Sequence, residues 1–364
     1  MKQFLFIVLF VTAQFCYGNM ASPVRKGTSS SAAFSSRNID ILKEQLNISI
    51  NPDFTTAFFD ITYTIFSETD GKQVPLLFHT VNYKEDFKVW VDDREVSILQ
   101  VPKDYRHSAG DAFEPFANSF SQSGDLTYVL IYWEEGVGST YYLSDLKYFE
   151  TNLSRGEHKI RVTYTASPWA DRDAWVKEYS FRYSLSPAKH WKSFGTLEVN
   201  VNTAGFKWPV TTNLGEPQKG TPGSVLSWTF QKIPANYLQI NYVPEISKKA
   251  KSLIKIGPDG LTIIFGLLLA TIHLFLIAFH KRRYLKKKYS WVLIAGSIII
   301  PFIILLFNIN SYNIIDRVIG EHAGRYHGYT FLVLIFYPVF MPVYWLVMWL
   351  LSKLFPKKAI QEKD

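Results

Sequence analysis

Along the first two thirds of the chain, apolar and polar residues alternate. The alternation stops where three unbroken apolar runs begin. Period-two patterning or β-rich composition marks 48–50, 58–66, 87–91, 128–132, 160–164, 179–183, 197–201 and 238–242. Successive side chains on a strand point to opposite faces, so each segment reads as a strand with one buried side. Turn chemistry separates them at Asp70-Gly71, Asp92-Asp93, Arg155-Gly156 and Pro222-Gly223. About a dozen strands with no long amphipathic helix between them predict an antiparallel β-sandwich over residues 39–247, built as one or two sub-sandwiches.

The run Leu153-x-x-Gly156-x-His158-x-Ile160-x-Val162-x-Tyr164 resembles the late strand, and the tight turn before it, of immunoglobulin-like sandwiches. That resemblance covers a dozen residues and implies a fold, not an activity. Between 104 and 124 the chain is polar, with Gly, Ser and Asn and no strand pattern. It reads as a long loop or as a boundary between sub-sandwiches.

The apolar runs at 261–279, 291–307 and 329–351 are 19, 17 and 23 residues long. At 1.5 Å per residue the longest reaches about 34 Å, enough to cross a hydrocarbon core of roughly 30 Å. The middle run needs Asn308-Ile309 to cross, which sets it at 291–309. Pro301, Pro338 and Pro342 are tolerable there because neighbouring groups re-satisfy the freed backbone. The expected domains are therefore a three-helix membrane domain over 259–354, preceded by a basic juxtamembrane segment at 248–258 and followed by a tail at 355–364.

Residues 1–18 have the form of a signal peptide. Lys2 is followed by the apolar run 4–11 and by Cys16-Tyr17-Gly18 as a small-x-small cleavage site. Residues 19–38, rich in Ser, read as a flexible linker.

Charge sharpens the topology. The formal net charge is +8, yet residues 19–258 hold 26 basic and 26 acidic residues, whereas 259–364 hold 12 and 5. The excess flanks apolar runs, which argues for membrane anchoring and against a nucleic-acid partner. Lys281, Arg282, Arg283, Lys286, Lys287 and Lys288 mark a cytoplasmic loop, and Lys353, Lys357, Lys358 and Lys363 put the C-terminus on the same side. Residues 19–258 then lie outside the cytoplasm. Lys248, Lys249, Lys251 and Lys255 disagree with this arrangement.

The single cysteine, Cys16, falls in the signal peptide, so the mature chain offers no thiol and no disulfide. The sequence contains no His-Glu-x-x-His, Gly-x-Ser-x-Gly, phosphate-binding Gly-rich loop or dinucleotide fingerprint, and it calls for no cofactor.

The strongest ectodomain candidate for a ligand surface is Trp169, Asp171, Asp173 and Trp175. Trp faces beside carboxylates can hold a sugar, and Asp-x-Asp can begin an oxygen-ligand cation site. The structural alternative is a loop whose indoles pack and whose Asp residues make turns. Glu134 and Glu135 are adjacent and so point to opposite faces of a strand. In the membrane part, His273 is an ionisable residue in mid-span. It is either functional or a neutral ring bonded to a neighbouring helix. Asp316, Arg317, Glu321, His322, Arg325, Tyr326 and His327 lie between the second and third spans. They offer a His, His and carboxylate metal set or a polar loop docked on the ectodomain.

These readings favour a non-enzymatic, membrane-anchored binding or assembly protein of a bacterial envelope. It would sit in the cytoplasmic membrane with a protein or glycan partner outside. One alternative is an envelope enzyme acting on glycans through Asp171, Asp173, Glu134 or Glu135. Another is an accessory subunit of a transporter complex. Asn47-Ile48-Ser49 and Asn152-Leu153-Ser154 would accept glycans only in a eukaryotic secretory route.

Overall fold

The computed structural model describes residues 32–35, 39–73, 76–79, 86–100, 120–123, 126–134, 137–142, 146–185, 188, 192–206, 209–283 and 290–354. The expected signal peptide with Cys16, the polar stretch 104–119, Glu135, the basic residues 286–288 and the tail 355–364 lie outside them. The chain divides into two compact units, Met1–Trp169 with Tyr179–Tyr242 and Ala170–Glu178 with Val243–Asp364.

The first unit is β-sheet, with strands numbered in chain order. Its largest sheet runs β19 (Val225–Phe230), β17 (Phe194–Asn202), β2 (Ile39–Ile50), β3 (Ala57–Ser67), β14 (Gly156–Ala166), β6 (Lys88–Val91) and β7 (Arg94–Val96). A second sheet runs β15 (Trp169–Asp171), β16 (Glu178–Ser184), β20 (Tyr237–Tyr242) and β18 (Thr211–Thr212). A third runs β1 (Ala32–Ser35), β5 (Leu76–His79), β12 (Leu146–Tyr148) and β8 (Leu99–Gln100). A fourth runs β11 (Val137–Tyr142), β10 (Leu126–Glu134) and β9 (Phe120–Ser123), and β13 (Thr151–Leu153) pairs with β4 (Gly71–Gln73).

Three expectations change here. Phe120–Ser123, inside the stretch 104–124 read as having no strand, is strand β9 paired with β10. Ala32–Ser35, placed in the linker, is a strand paired with β5. The sheets are open and mixed rather than antiparallel throughout, because β17 lies parallel to β2. Alternation of side chains is identical in parallel and antiparallel strands, so the pattern could not distinguish them.

Seven of the strand segments read from alternation lie within strands, and the eighth, 87–91, starts one residue before β6. In β3, residues 57, 59, 61, 63, 65 and 67 are buried and the intervening ones are not. All eleven positions of β14 pair with β3, from Gly156 opposite Ser67 to Ala166 opposite Ala57. Strands β6 and β7 join through Asp92 and Asp93, with φ of 47° and 63°. That two-residue turn matches the strand twist but strains non-glycine residues. Asp92 compensates by accepting from the Lys159 backbone N–H at 2.9 Å, and its other carboxylate oxygen lies 2.7 Å from His158 Nδ1.

The seven-stranded and four-stranded sheets contribute to one apolar core. Ile41, Leu46, Phe59, Ile61, Val162 and Val199 come from the first, and Phe181, Leu238 and Ile240 from the second.

Strand β2 carries a bulge that decides which of its residues enter the core. The register with β3 slips between Ile41 and Lys43, leaving Leu42 as the extra residue. Before the slip Ile39 and Ile41 are buried; after it Glu44, Leu46, Ile48 and Ile50 are. An extra residue reverses the parity of the strand beyond it. Opposite the bulge sits Gly195, where an added Cβ would run into the Leu42 carbonyl.

Among the described residues, the second unit holds three helices long and apolar enough to cross a membrane. Helix α1 (Lys248–Arg283) is broken at Gly257, with φ 71° and ψ 171°, and resumes at Pro258. Proline suits a first helical position because its missing N–H has no intrahelical partner there. Helix α2 (Trp291–Ile319) starts at the Ser290 N-cap, whose hydroxyl accepts from the Leu293 N–H. The third apolar segment begins as a 3₁₀ run, Thr330–Phe336, and continues as α3 (Tyr337–Ser352).

Gly195→Ala should lower the unfolding midpoint of the full chain by the equivalent of about 1–3 kcal/mol, the usual cost of overpacking. A Trp-fluorescence melt of the detergent-solubilised protein reads this, and an unchanged midpoint would mean that the bulge can relax away from Gly195.

Candidate functional site

The loop singled out at 169–175 lies at the tip between the neighbouring strands β15 and β16. In the β unit, Trp169 lies under the Arg182 guanidinium, 5.5 Å from ring centroid to Cζ. Asp171 Oδ1 accepts from the Asp173 N–H at 3.0 Å, which makes the Asp-x-Asp a turn. Asp173 is exposed. Trp175 belongs to the helical unit.

Trp175 is held by the connector that follows α2. Its ring stacks on Tyr312 (5.9 Å, 25°), meets His327 at 5.1 Å and carries the Arg325 guanidinium at 5.3 Å. Backbone bonds fasten both sides of it. The Gly324 N–H donates to the Trp175 carbonyl at 3.0 Å and the Lys177 N–H to the His322 carbonyl at 2.9 Å, with Val176 bridged to Ala323. Lys177 Nζ donates to the Glu321 carbonyl at 2.7 Å. A side chain at Gly324 would press on the Ala174 carbonyl, so the close approach depends on glycine.

The two histidines of this connector do not share a site. His327 Nε2 lies 3.0 Å from Asp316 Oδ2, off the axis of a hydrogen bond, while His322 Nε2 faces its neighbour Glu321 at 3.6 Å. Among the described residues no group of three His, Cys, Asp or Glu is placed to hold a metal ion. The connector forms a docked polar loop around Trp175.

His273 is buried to 1% exposure in the middle of α1. Its Nε2 lies 3.0 Å from the Val292 carbonyl of α2, and its Nδ1 lies 3.2 Å from the Tyr344 hydroxyl of α3, with the two rings parallel. A neutral ring satisfies both contacts, as Nε2–H donates to the carbonyl and Nδ1 accepts from the phenol. Gly296 gives the ring its space, since a Cβ there would collide with the imidazole. Asn308 of α2 repeats the device one level away, its Nδ2 donating to Thr262 Oγ1 at 3.1 Å and to Asp259 Oδ1 at 3.3 Å.

One cluster was not foreseen. Glu44 is 1% exposed in the core of the β unit. It accepts a hydrogen bond of 2.8 Å from the Tyr183 hydroxyl, which lies 2.5 Å from the Tyr63 hydroxyl. Burial pushes the carboxyl up to about 7, against the opposing pull of hydrogen bonds from Tyr183 and Tyr63. Such a group is poised to gain or lose a proton near neutrality, a property that concentrates at functional sites and also occurs in structural networks. The signal in the sequence is the even-numbered run Glu44, Leu46, Ile48, Ile50, which places a carboxylate on an apolar face.

The folded acidity constant of Glu44 is raised from 4.5 to about 7. Its stabilising contribution is therefore complete below pH 4.5 and is lost as pH rises through about 7, amounting to about 3 kcal/mol. Glu44→Gln should flatten this part of the pH dependence of chemical denaturation, and an unchanged slope would remove Glu44 as its source. Trp175→Ala should lower the melting midpoint of the full chain by the equivalent of about 2 kcal/mol. That is less than the roughly 3–5 kcal/mol of a fully buried indole, because some of the ring is exposed. An unchanged midpoint would point instead to a ligand surface.

No protein-family model and no curated protein matches the sequence. Solved structures resemble it only distantly. A Legionella pneumophila protein provisionally called a nutrient binding protein superposes with a TM-score of 0.37 at 13% identity, over 59% of this chain and 70% of its own. Leukotriene A4 hydrolase from Saccharomyces cerevisiae gives 0.32 at 9% identity, over 61% and 31%. The M1 zinc metallopeptidase from Deinococcus radiodurans gives 0.28 at 10%, over 59% and 46%. The chain thus spans less than half the length of either enzyme, and likenesses of this strength carry no functional argument.

Proposed function

We propose that this chain is a membrane-anchored binding or assembly protein of a bacterial envelope. Its β unit would be displayed outside the cytoplasm, and its three helices would hold it in the cytoplasmic membrane. The observation that carries the reading is the set of three helices long and apolar enough to cross a membrane that follows the β unit. A protein or glycan partner fits the exposed apolar residues on the β unit, among them Phe58 and Leu99.

Orientation rests on the signal-peptide pattern and on the basic run 281–288, both of which favour the β unit outside and the C-terminus inside. The core shared by the seven-stranded and four-stranded sheets supports a sandwich-like reading of the β unit, and an immunoglobulin-like one remains part of this proposal.

With the one cysteine of the sequence changed, Cys16→Ser, single cysteines report topology without background. Glu216→Cys should react with an impermeant maleimide in intact spheroplasts, and Lys286→Cys only after permeabilisation. The reverse pattern would overturn the orientation. A photo-crosslinking residue at Phe58 in the full chain should capture a discrete partner in native membranes. No adduct, together with glycan hydrolysis by the purified protein, would favour an envelope enzyme.

A further inference from the structure

The first piece of α1, before the break at Gly257, is an amphipathic helix with two unlike faces. Residues 248, 249, 251, 252, 255 and 256 are exposed. Ala250, Leu253 and Ile254 pack in a cluster with Ile315 and Ile319 at the end of α2. At 100° per residue the exposed positions cover an arc of about 160°, and the packed ones fall on the opposite side. The exposed arc carries Lys248, Lys249, Lys251 and Lys255, four ammonium groups within about 11 Å of helix. No acid lies between them; Glu245 precedes and Asp259 follows. Among the described residues none of the four forms an ion pair. Their spacing is close to the roughly 8 Å screening length of physiological salt, so they act on a ligand as one patch.

The level of this patch is set by its neighbours. The apolar stretch of α1 begins at Leu261, a turn or two beyond Lys255. The connector after α2 presents Tyr326 and Tyr329, 85% and 78% exposed, just before the third apolar segment. Exposed tyrosines beside the start of a span mark the headgroup region of a bilayer. The lysine arc therefore faces the layer where phosphates lie, and its packed face against α2 prevents it from turning away.

We propose that Lys248, Lys249, Lys251 and Lys255 form a binding surface for anionic phospholipid headgroups that seats the start of α1 on the membrane. Lysines facing an anionic bilayer gain most when several sit within a screening length of the phosphates. The patch accounts for the one departure from the charge rule for topology, because lipid phosphate and the packing of Ala250 on α2 hold these lysines on the side opposite the 281–288 loop. It does not depend on which partner the β unit takes.

The full chain in nanodiscs of equal dioleoylphosphatidylglycerol and dioleoylphosphatidylcholine tests this, with retained lipids counted by native mass spectrometry. The wild type should release with phosphatidylglycerol enriched over phosphatidylcholine. Replacing all four lysines, Lys248→Gln, Lys249→Gln, Lys251→Gln and Lys255→Gln, should cut the enrichment by about tenfold or more, since each lysine near an anionic surface contributes roughly fivefold. The four Lys→Arg replacements should keep it. High salt should weaken it in the wild type, a reading that needs no variant to fold. Three outcomes overturn the proposal: no enrichment in the wild type, enrichment that survives in the glutamine variant, and enrichment abolished by millimolar inorganic phosphate, which would mean a free-anion site instead of a lipid surface.

Discussion

The β unit depends on the parity of one strand. β2 lies inside the largest sheet, between β17 on one side and β3 on the other, and its Leu42 bulge turns the second half of the strand over. Without the bulge, the register that buries Ile39 and Ile41 would send Leu46, Ile48 and Ile50 to the opposite face. With it, both halves feed one core, and Glu44 is carried inside with them. The buried carboxyl and its two phenols are thus a by-product of the same slip that completes the apolar face. Gly195 is the element on β17 that leaves room for the slip.

The helical unit answers a different constraint, that backbone and side-chain polar groups away from water find partners inside the protein. α2 is the hub. It receives His273 of α1 at the Val292 carbonyl and Tyr337 of α3 at the Ile298 carbonyl, the latter at 2.9 Å. At the far ends, Lys281 Nζ donates to the Ser352 carbonyl, placing a cation on the negative end of α3. His273, Asn308 and Tyr337 are fasteners between helices, and Gly296 leaves the room that His273 needs.

Strand positions and the three spans were legible because each rests on a local period or an apolar run. Partners were not, since β2 and β17 meet across most of the β unit and alternation says nothing of direction. Glu44 was half legible. Its apolar neighbours at even positions were plain, but their common face with Ile39 and Ile41 requires the bulge, which leaves no mark in composition. Trp169 and Trp175 sat six residues apart around an Asp-x-Asp and read as one surface. The bond between the Asp173 N–H and Asp171, which makes the Asp-x-Asp a turn, could not be read from that spacing. His273 was recognisable as an ionisable residue in an apolar run, whereas Gly296 and Tyr344, which make it tolerable, lie in other spans.

The parallel pairing of β2 with β17 has a consequence in time. Asn47 and Asn200, which share a 2.9 Å side-chain hydrogen bond across it, are 153 residues apart. A chain leaving the ribosome at about 5–20 residues per second presents β2 many seconds before β17 exists. Pairings so distant in sequence are slow to form, because loop closure precedes any reward. During that interval β2, with Leu46, Ile48 and Ile50 on one face, has β3 on one flank and an unfilled hydrogen-bonding edge on the other. The nascent chain is most vulnerable to aggregation then, and β2 is the strand most exposed to it.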